Sequence, residues 1–140
     1  MWSVEERAES DAEPEAVFRV WRDVARWPEW DPLVEEAGVE GEFTQGSRMR
    51  LKTKGAPARR IRLVEVVPGA RYRSEDRLPL ARMEFDHLAE AGESGRTKIT
   101  YRQSISGPLS SVYARLFGRR MAATLPARVQ AVARRAEQGA

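Results

Sequence analysis

The spacing of apolar residues changes twice along the chain and divides it into three blocks. In the first block Trp2, Val4, Glu6 and Ala8 alternate with Ser3, Glu5, Arg7 and Glu9. This period of two predicts a strand with one half-apolar face. Val17, Val20, Trp21 and Val24 then recur at helical spacing, with Phe18 beside them. Asp11-Ala12-Glu13-Pro14-Glu15 reads as the start of that helix. Pro14 suits a first turn, where its missing N–H costs nothing, and Glu13 and Glu15 lie at the positive end of the helix dipole. The helix is expected to end near Arg26, because Pro28 and Pro32 disfavour helical geometry at Trp27 and Asp31. Trp27-Pro28-Glu29-Trp30-Asp31-Pro32 is therefore a turn or one short second helix.

From Leu33 the period moves towards two. Candidate strands are Glu35–Gly41, Arg48–Lys54, Arg59–Val67, Ala70–Arg77, Arg82–Ala91 and Arg96–Ser106, separated by Gly- and Pro-bearing breaks. Short connections between successive strands argue for an antiparallel meander. Alternation puts Met49, Leu51, Ile61, Leu63, Tyr72, Ser74, Asp76, Met83, Phe85, His87, Ile99, Tyr101, Gln103 and Ile105 on one face. Most strand arginines fall on the other face, as in a sheet wet on one side only. Val64 and Val66 break the alternation and mark a candidate bulge.

The third block follows Gly107-Pro108. Leu109, Val112, Tyr113, Leu116, Phe117, Met121, Leu125, Val129, Val132 and Ala136 recur at helical spacing to the end of the chain. Thirty helical residues would reach about 45 Å, so the rest of the fold has to pack along them. Tyr113, Phe117 and Met121 fall on the stripe facing the sheet. Pro126 is expected to kink the helix near Ala122 to Leu125. Arg115, Arg119, Arg128, Arg134 and Arg135 are expected to be mostly solvated.

Strand, helix, short helix, six-strand meander and long last helix is the helix-grip order. Four stretches carry a resemblance to a known family: Pro14-Glu15-Ala16-Val17-Phe18, Trp27 to Pro32, Gly95-Arg96-Thr97 and Ser106-Gly107-Pro108-Leu109. The chain resembles the polyketide cyclase/dehydrase-type members of the SRPBCC superfamily, related to START-domain and birch-pollen-allergen-like proteins. The resemblance spans essentially the whole chain. It implies an α+β fold in which a seven-stranded antiparallel sheet wraps the last helix, with two short helices between strands 1 and 2. It also implies a cavity for apolar or amphipathic molecules. It implies no particular chemistry, because the family holds lipid carriers, sensors and aromatase/cyclases.

Composition narrows this picture. The 140 residues suit a single domain spanning 1–140. There is no cysteine, which excludes disulfides and thiolate metal sites. With one histidine and no clustered ligand spacing, no metal or other cofactor is expected. The opening residues lack the basic and apolar regions of a signal peptide. No run approaches the ~18 apolar residues of a membrane span. A soluble, cytoplasmic protein without membrane insertion is the expectation. The net charge of +3 conceals an asymmetry: residues 1–40 carry four Lys or Arg against twelve Asp or Glu, and residues 109–140 carry six Arg against Glu137 alone. Complementary faces meeting inside one fold, or across a homodimer, account for this better than nucleic acid, since the basic residues are mostly spaced singly.

Candidate chemistry falls on the inward face. His87 could act as a general base or pocket donor, or be a histidine near a strand end with its ring hydrogen-bonded or half exposed. Asp76, if inward, needs a partner such as an arginine, Tyr101 or a ligand, because an unpaired buried carboxylate costs several kcal/mol; otherwise it reaches water at the strand end. Tyr101 and Gln103 fit an apolar pocket with a few placed polar groups. Candidate catalytic residues are thus His87, Tyr101 and Asp76. Candidate ligand-binding residues are Trp27, Trp30, Met49, Leu51, Tyr72, Met83, Phe85, Gln103, Tyr113, Phe117 and Met121. Trp27 and Trp30 serve as a plug below the core or as an aromatic lip. Three functions stand open: a carrier of a hydrophobic or aromatic molecule, a polyketide cyclase/dehydratase-type enzyme, and an interaction module without ligand.

Overall fold

A computed structural model of the chain describes residues 1–139. Strand β1 (Trp2–Ser10) leads to helix α1 (Pro14–Arg22) and a 3₁₀ helix (Val24–Glu29). The meander follows as β2 (Val34–Val39), β3 (Arg48–Thr53), β4 (Arg59–Val67), β5 (Arg71–Leu78), β6 (Ala81–Ala91) and β7 (Thr97–Ser106). Helix α2 (Ser110–Glu137) ends the fold. The seven strands form one antiparallel sheet in the order β1-β7-β6-β5-β4-β3-β2. All neighbours are consecutive in sequence except β1 and β7, which pair from Trp2 with Ile105 to Ser10 with Thr97. This is the helix-grip architecture implied by the resemblance.

The register of β4 against β5 shifts between Leu63 and Glu65, where the alternation of valines breaks. A second shift, between Val34 and Glu36, distorts the β2–β3 pair. Helix α1 stops at Arg22, earlier than the prolines alone require. Asp23 leaves helical geometry at φ −86° and ψ 67°, and the tighter 3₁₀ turn takes over, with Pro28 inside it. The turn between β5 and β6 places Leu80 at φ 56°, a left-handed conformation rare for a branched residue. Gly107, at φ 108°, lies against this turn, and a Cβ there would come within 2.9 Å of Leu80 O and Ala81 Cα. Only glycine allows this approach, which lets Leu109 N–H donate to Leu80 O at 3.0 Å and fixes the start of α2.

Helix α2 runs along β1. Gly118 sits on the ring of Trp2, and further on Ser10 Oγ donates to Ala133 O at 2.9 Å. The helix continues through Pro126 to Glu137, so the proline removes one N–H donor without ending it. The core lies between the sheet, α1 and the second half of α2, and includes Val17, Trp21, Leu63, Ile99, Leu125, Val129 and Val132. The acidic N-terminal section meets the basic sheet and helix inside this fold. Arg128 pairs with Asp31, Arg135 with Glu29, Arg96 with Glu9 and Asp11, and Arg60 with Glu40. Two arginines expected to be solvated are therefore not. The side chains of Arg128 and Arg135 are only 13% and 15% exposed, because the 3₁₀ segment brings Asp31 and Glu29 onto α2. Among the described residues, no helix is long and apolar enough to cross a membrane, and no group of three or more His, Cys, Asp or Glu could hold a metal ion.

Candidate functional site

Between the concave face of the sheet and the first half of α2 lies a cavity of about 330 Å³. Alternation builds its floor: Tyr72, Ser74 and Asp76 come from β5, Met83, Phe85 and His87 from β6, and Tyr101 and Gln103 from β7. Leu51 and Ile61 extend the floor towards the sheet edge. Trp27, Trp30 and Asp31 close one side, and Phe117, Met121, Thr124 and Arg128 of α2 form the roof. Two of the residues expected to bind ligand lie elsewhere. Met49 is buried in the core opposite Ile61. Tyr113 lies one turn before Phe117 and donates its hydroxyl to Pro79 O at 3.1 Å. Its ring stacks on Phe117 rather than entering the cavity.

His87 is held among aromatic rings. It stacks on Tyr72 at 4.0 Å and meets Tyr101 edge-on at 4.5 Å. Part of its ring faces the cavity, while Nδ1 is closed off without a hydrogen-bond partner. Burial is the main reason its pKa is pushed down to about 3, and the nearby Arg128 charge adds to the shift. The carbonyls of Tyr72 and Phe85 oppose it more weakly. His87 is therefore neutral at physiological pH. It is not near a strand end but in the middle of β6.

Tyr101 accepts a hydrogen bond from Trp21 Nε1 at 3.0 Å, and Trp27 Nε1 donates to Trp21 O at 3.0 Å. These bonds tie the 3₁₀ segment, α1 and β7 together, so Trp27 is both structural and part of the cavity wall. Burial raises the pKa of both Tyr101 and Tyr72, and both stay protonated. Asp76 is largely buried, its side chain 10% exposed. Arg59 grips its carboxylate in a fork, with Nε to Oδ2 at 2.9 Å and Nη2 to Oδ1 at 2.8 Å. This is the arginine partner that an inward Asp76 requires.

Four charged cavity residues escaped the sequence reading: Asp31, Arg59, Arg120 and Arg128. Arg59 had a signal, since stepping back by two from Leu63 and Ile61 reaches it. Asp31 and Arg128 had none, because their contacts at 3.1 and 3.2 Å join residues 97 positions apart. Three polar atoms around the cavity remain buried and unpartnered: Trp30 Nε1, His87 Nδ1 and Gln103 Oε1. An unmatched buried polar atom typically costs about 1–3 kcal/mol. All three belong to residues that line the cavity, but the atoms themselves are turned into the packing behind its wall.

A family model described as polyketide cyclase/dehydrase and lipid transport matches residues 1–137. No curated protein shows significant sequence similarity to the chain. Among solved structures, the Zhui aromatase/cyclase from Streptomyces sp. R1128 superimposes with a TM-score of 0.76 at 18% identity, covering 98% of this chain and 94% of that one. A START superfamily protein from Mycobacterium smegmatis gives 0.71 at 14% identity, covering 97% of each chain. Ara h 8.0201 gives 0.64 at 14% identity, covering 98% of each. At these identities the likeness concerns the fold.

Proposed function

The chain belongs to the polyketide cyclase/dehydrase and lipid transport family, and on that footing we propose that it binds a hydrophobic or aromatic small molecule in the cavity between sheet and α2. The observation that carries this reading is the cavity itself, whose wall is mostly apolar, with a few polar side chains such as Ser74, Gln103 and Thr124 set into it. Ligand sites combine these two features, a mostly apolar surface and a few convergent polar groups. A volume of about 330 Å³ lies at the small end of the usual ~300–1,000 Å³. It suits a compact ring system or a short chain.

Binding is favoured over turnover by the state of the candidate acid–base groups. A general acid or base works best with a pKa near the operating pH. His87 is pushed down to about 3, and the phenols of Tyr72 and Tyr101 are pushed up. The Asp76 carboxylate is already engaged by Arg59. Each group is a better hydrogen-bonding surface than a proton shuttle.

Native mass spectrometry of the purified protein tests the proposal, followed by denaturing analysis of whatever is released. A discrete extra mass, or uptake of one class from a panel of fatty acids, isoprenoids and aromatic polyketides, is the expected result. A clean apo mass that no member of the panel changes would sink the reading.

A further inference from the structure

Five formally charged side chains line the cavity, and their charges do not cancel. Asp76 is taken by Arg59 in a fork, and Asp31 by Arg128. That leaves Arg120. Its Nη2 donates to Lys54 O, and among the described residues no carboxylate pairs with it. A guanidinium has five N–H donors in a fixed fork, so one carbonyl leaves most of them available. His87, uncharged at neutral pH, leaves this surplus at one positive charge.

The loop after β3 is built around this group. Gly55, at φ +77°, lies so close that a Cβ there would stand 3.1 Å from Arg120 Nη1. The guanidinium is thus held at the rim, between the loop that carries Ala56 and Pro57 and the turn of α2 that carries Phe117 and Met121. These neighbours are apolar, and a charge pair beside apolar walls is less screened than one in open water. A guest with its body under Phe117 and Met121 would bring its outer end to Arg120.

Resting on the binding role proposed above, we infer that the cavity selects apolar or aromatic molecules bearing one carboxylate, and that Arg120 is the residue that recognises the charge. Arg120 lies partly in water, so the selection is modest, about tenfold over an uncharged analogue of the same shape.

Two matched pairs test this by calorimetry at pH 7.5 and low salt: dodecanoate against 1-dodecanol, and 2-naphthoate against 2-naphthalenemethanol. In the wild type the acid of at least one pair should bind about tenfold more tightly than its alcohol. Arg120→Gln should bring that ratio close to one by weakening the acid alone. Arg119→Gln, an exposed neighbour outside the cavity lining, should leave the ratio unchanged. If acid and alcohol bind alike in the wild type, or if the ratio survives Arg120→Gln, the charge inference is wrong while the binding role stands. If none of the four compounds binds, both fall together.

Discussion

The two halves of α2 share one apolar period but not one environment. In the second half Leu125, Val129 and Val132 are wholly buried, with Ala133 and Ala136 beside them. In the first half Val112, Leu116 and Phe117 are 49%, 66% and 42% exposed. The second half is pressed against the sheet and α1, where small residues such as Ala133 and Ala136 permit close approach. The first half touches the sheet at Gly118, against Trp2, and its Phe117 and Met121 roof the cavity. An apolar stripe marks a helix face that avoids water; it does not say whether that face meets side chains or a hole. One helix therefore provides both the anchor of the fold and the roof of its site.

Substitutions can test how far this division holds. The largest effect is expected at Arg128, where the site meets the anchor. Breaking a buried ion pair by removing one partner leaves the other charge unmatched, at about 3–5 kcal/mol. Arg128→Ala should lower the urea-unfolding free energy by that order, since Asp31 is 4% exposed. A loss below ~1 kcal/mol would show that the pair is effectively solvated. Next in size, Leu125→Ala should cost about 2–5 kcal/mol, whereas Phe117→Ala should cost less than about 1 kcal/mol, being exposed, and should act on ligand affinity instead. Equal losses at the two positions would dissolve the distinction between the halves.

A third effect belongs to the cavity side. Above the unfolded-state pKa of about 6.5, His87 is neutral in both folded and unfolded chains. Below it, the unfolded chain gains a proton that the folded chain refuses until about pH 3. Stability should therefore fall as pH drops through this window, by at most about 1.4 kcal/mol per pH unit. His87→Gln should flatten that part of the profile. As His87 is the only histidine, its imidazole NMR signals report the titration directly, and an ordinary midpoint near 6.5 would overturn the assignment. The smallest effect concerns Gly118. Alanine there gains about 0.8–1.0 kcal/mol of helix propensity, but its Cβ would meet the Trp2 ring at 3.1 Å. The two should nearly offset one another. In a Trp2→Ala background the full gain should appear, as a double-mutant cycle would reveal.

The order of elements was legible because each boundary carries its own punctuation, from Pro14 to Gly107-Pro108. The faces of the strands were legible because the side-chain period is two, so Tyr72, Ser74 and Asp76 had to share a side. The partners of those residues were harder to read. Asp76 announced its need for a cation, yet the sequence has many arginines, and only the pairing of β4 with β5 selects Arg59. The Asp31–Arg128 pair depends on how the 3₁₀ segment leans on α2, which no local pattern encodes. Tyr113 and Met49 were misjudged for one reason. Pattern analysis assigns a face, but the cavity occupies only part of that face.

The pairing of β1 with β7 also sets a schedule. Each strand from β3 to β7 can join the one made just before it, but β1 must wait for a partner about 100 residues downstream. At ~5–20 residues per second of synthesis, that wait lasts roughly 5–20 s. Until then the half-apolar edge of β1 has no strand beside it, and α2, which lies along β1, is not yet made. The protein therefore gains its closing seam late, and a ribosome stalled before Ser106 would hold a meander without its first strand or its helix.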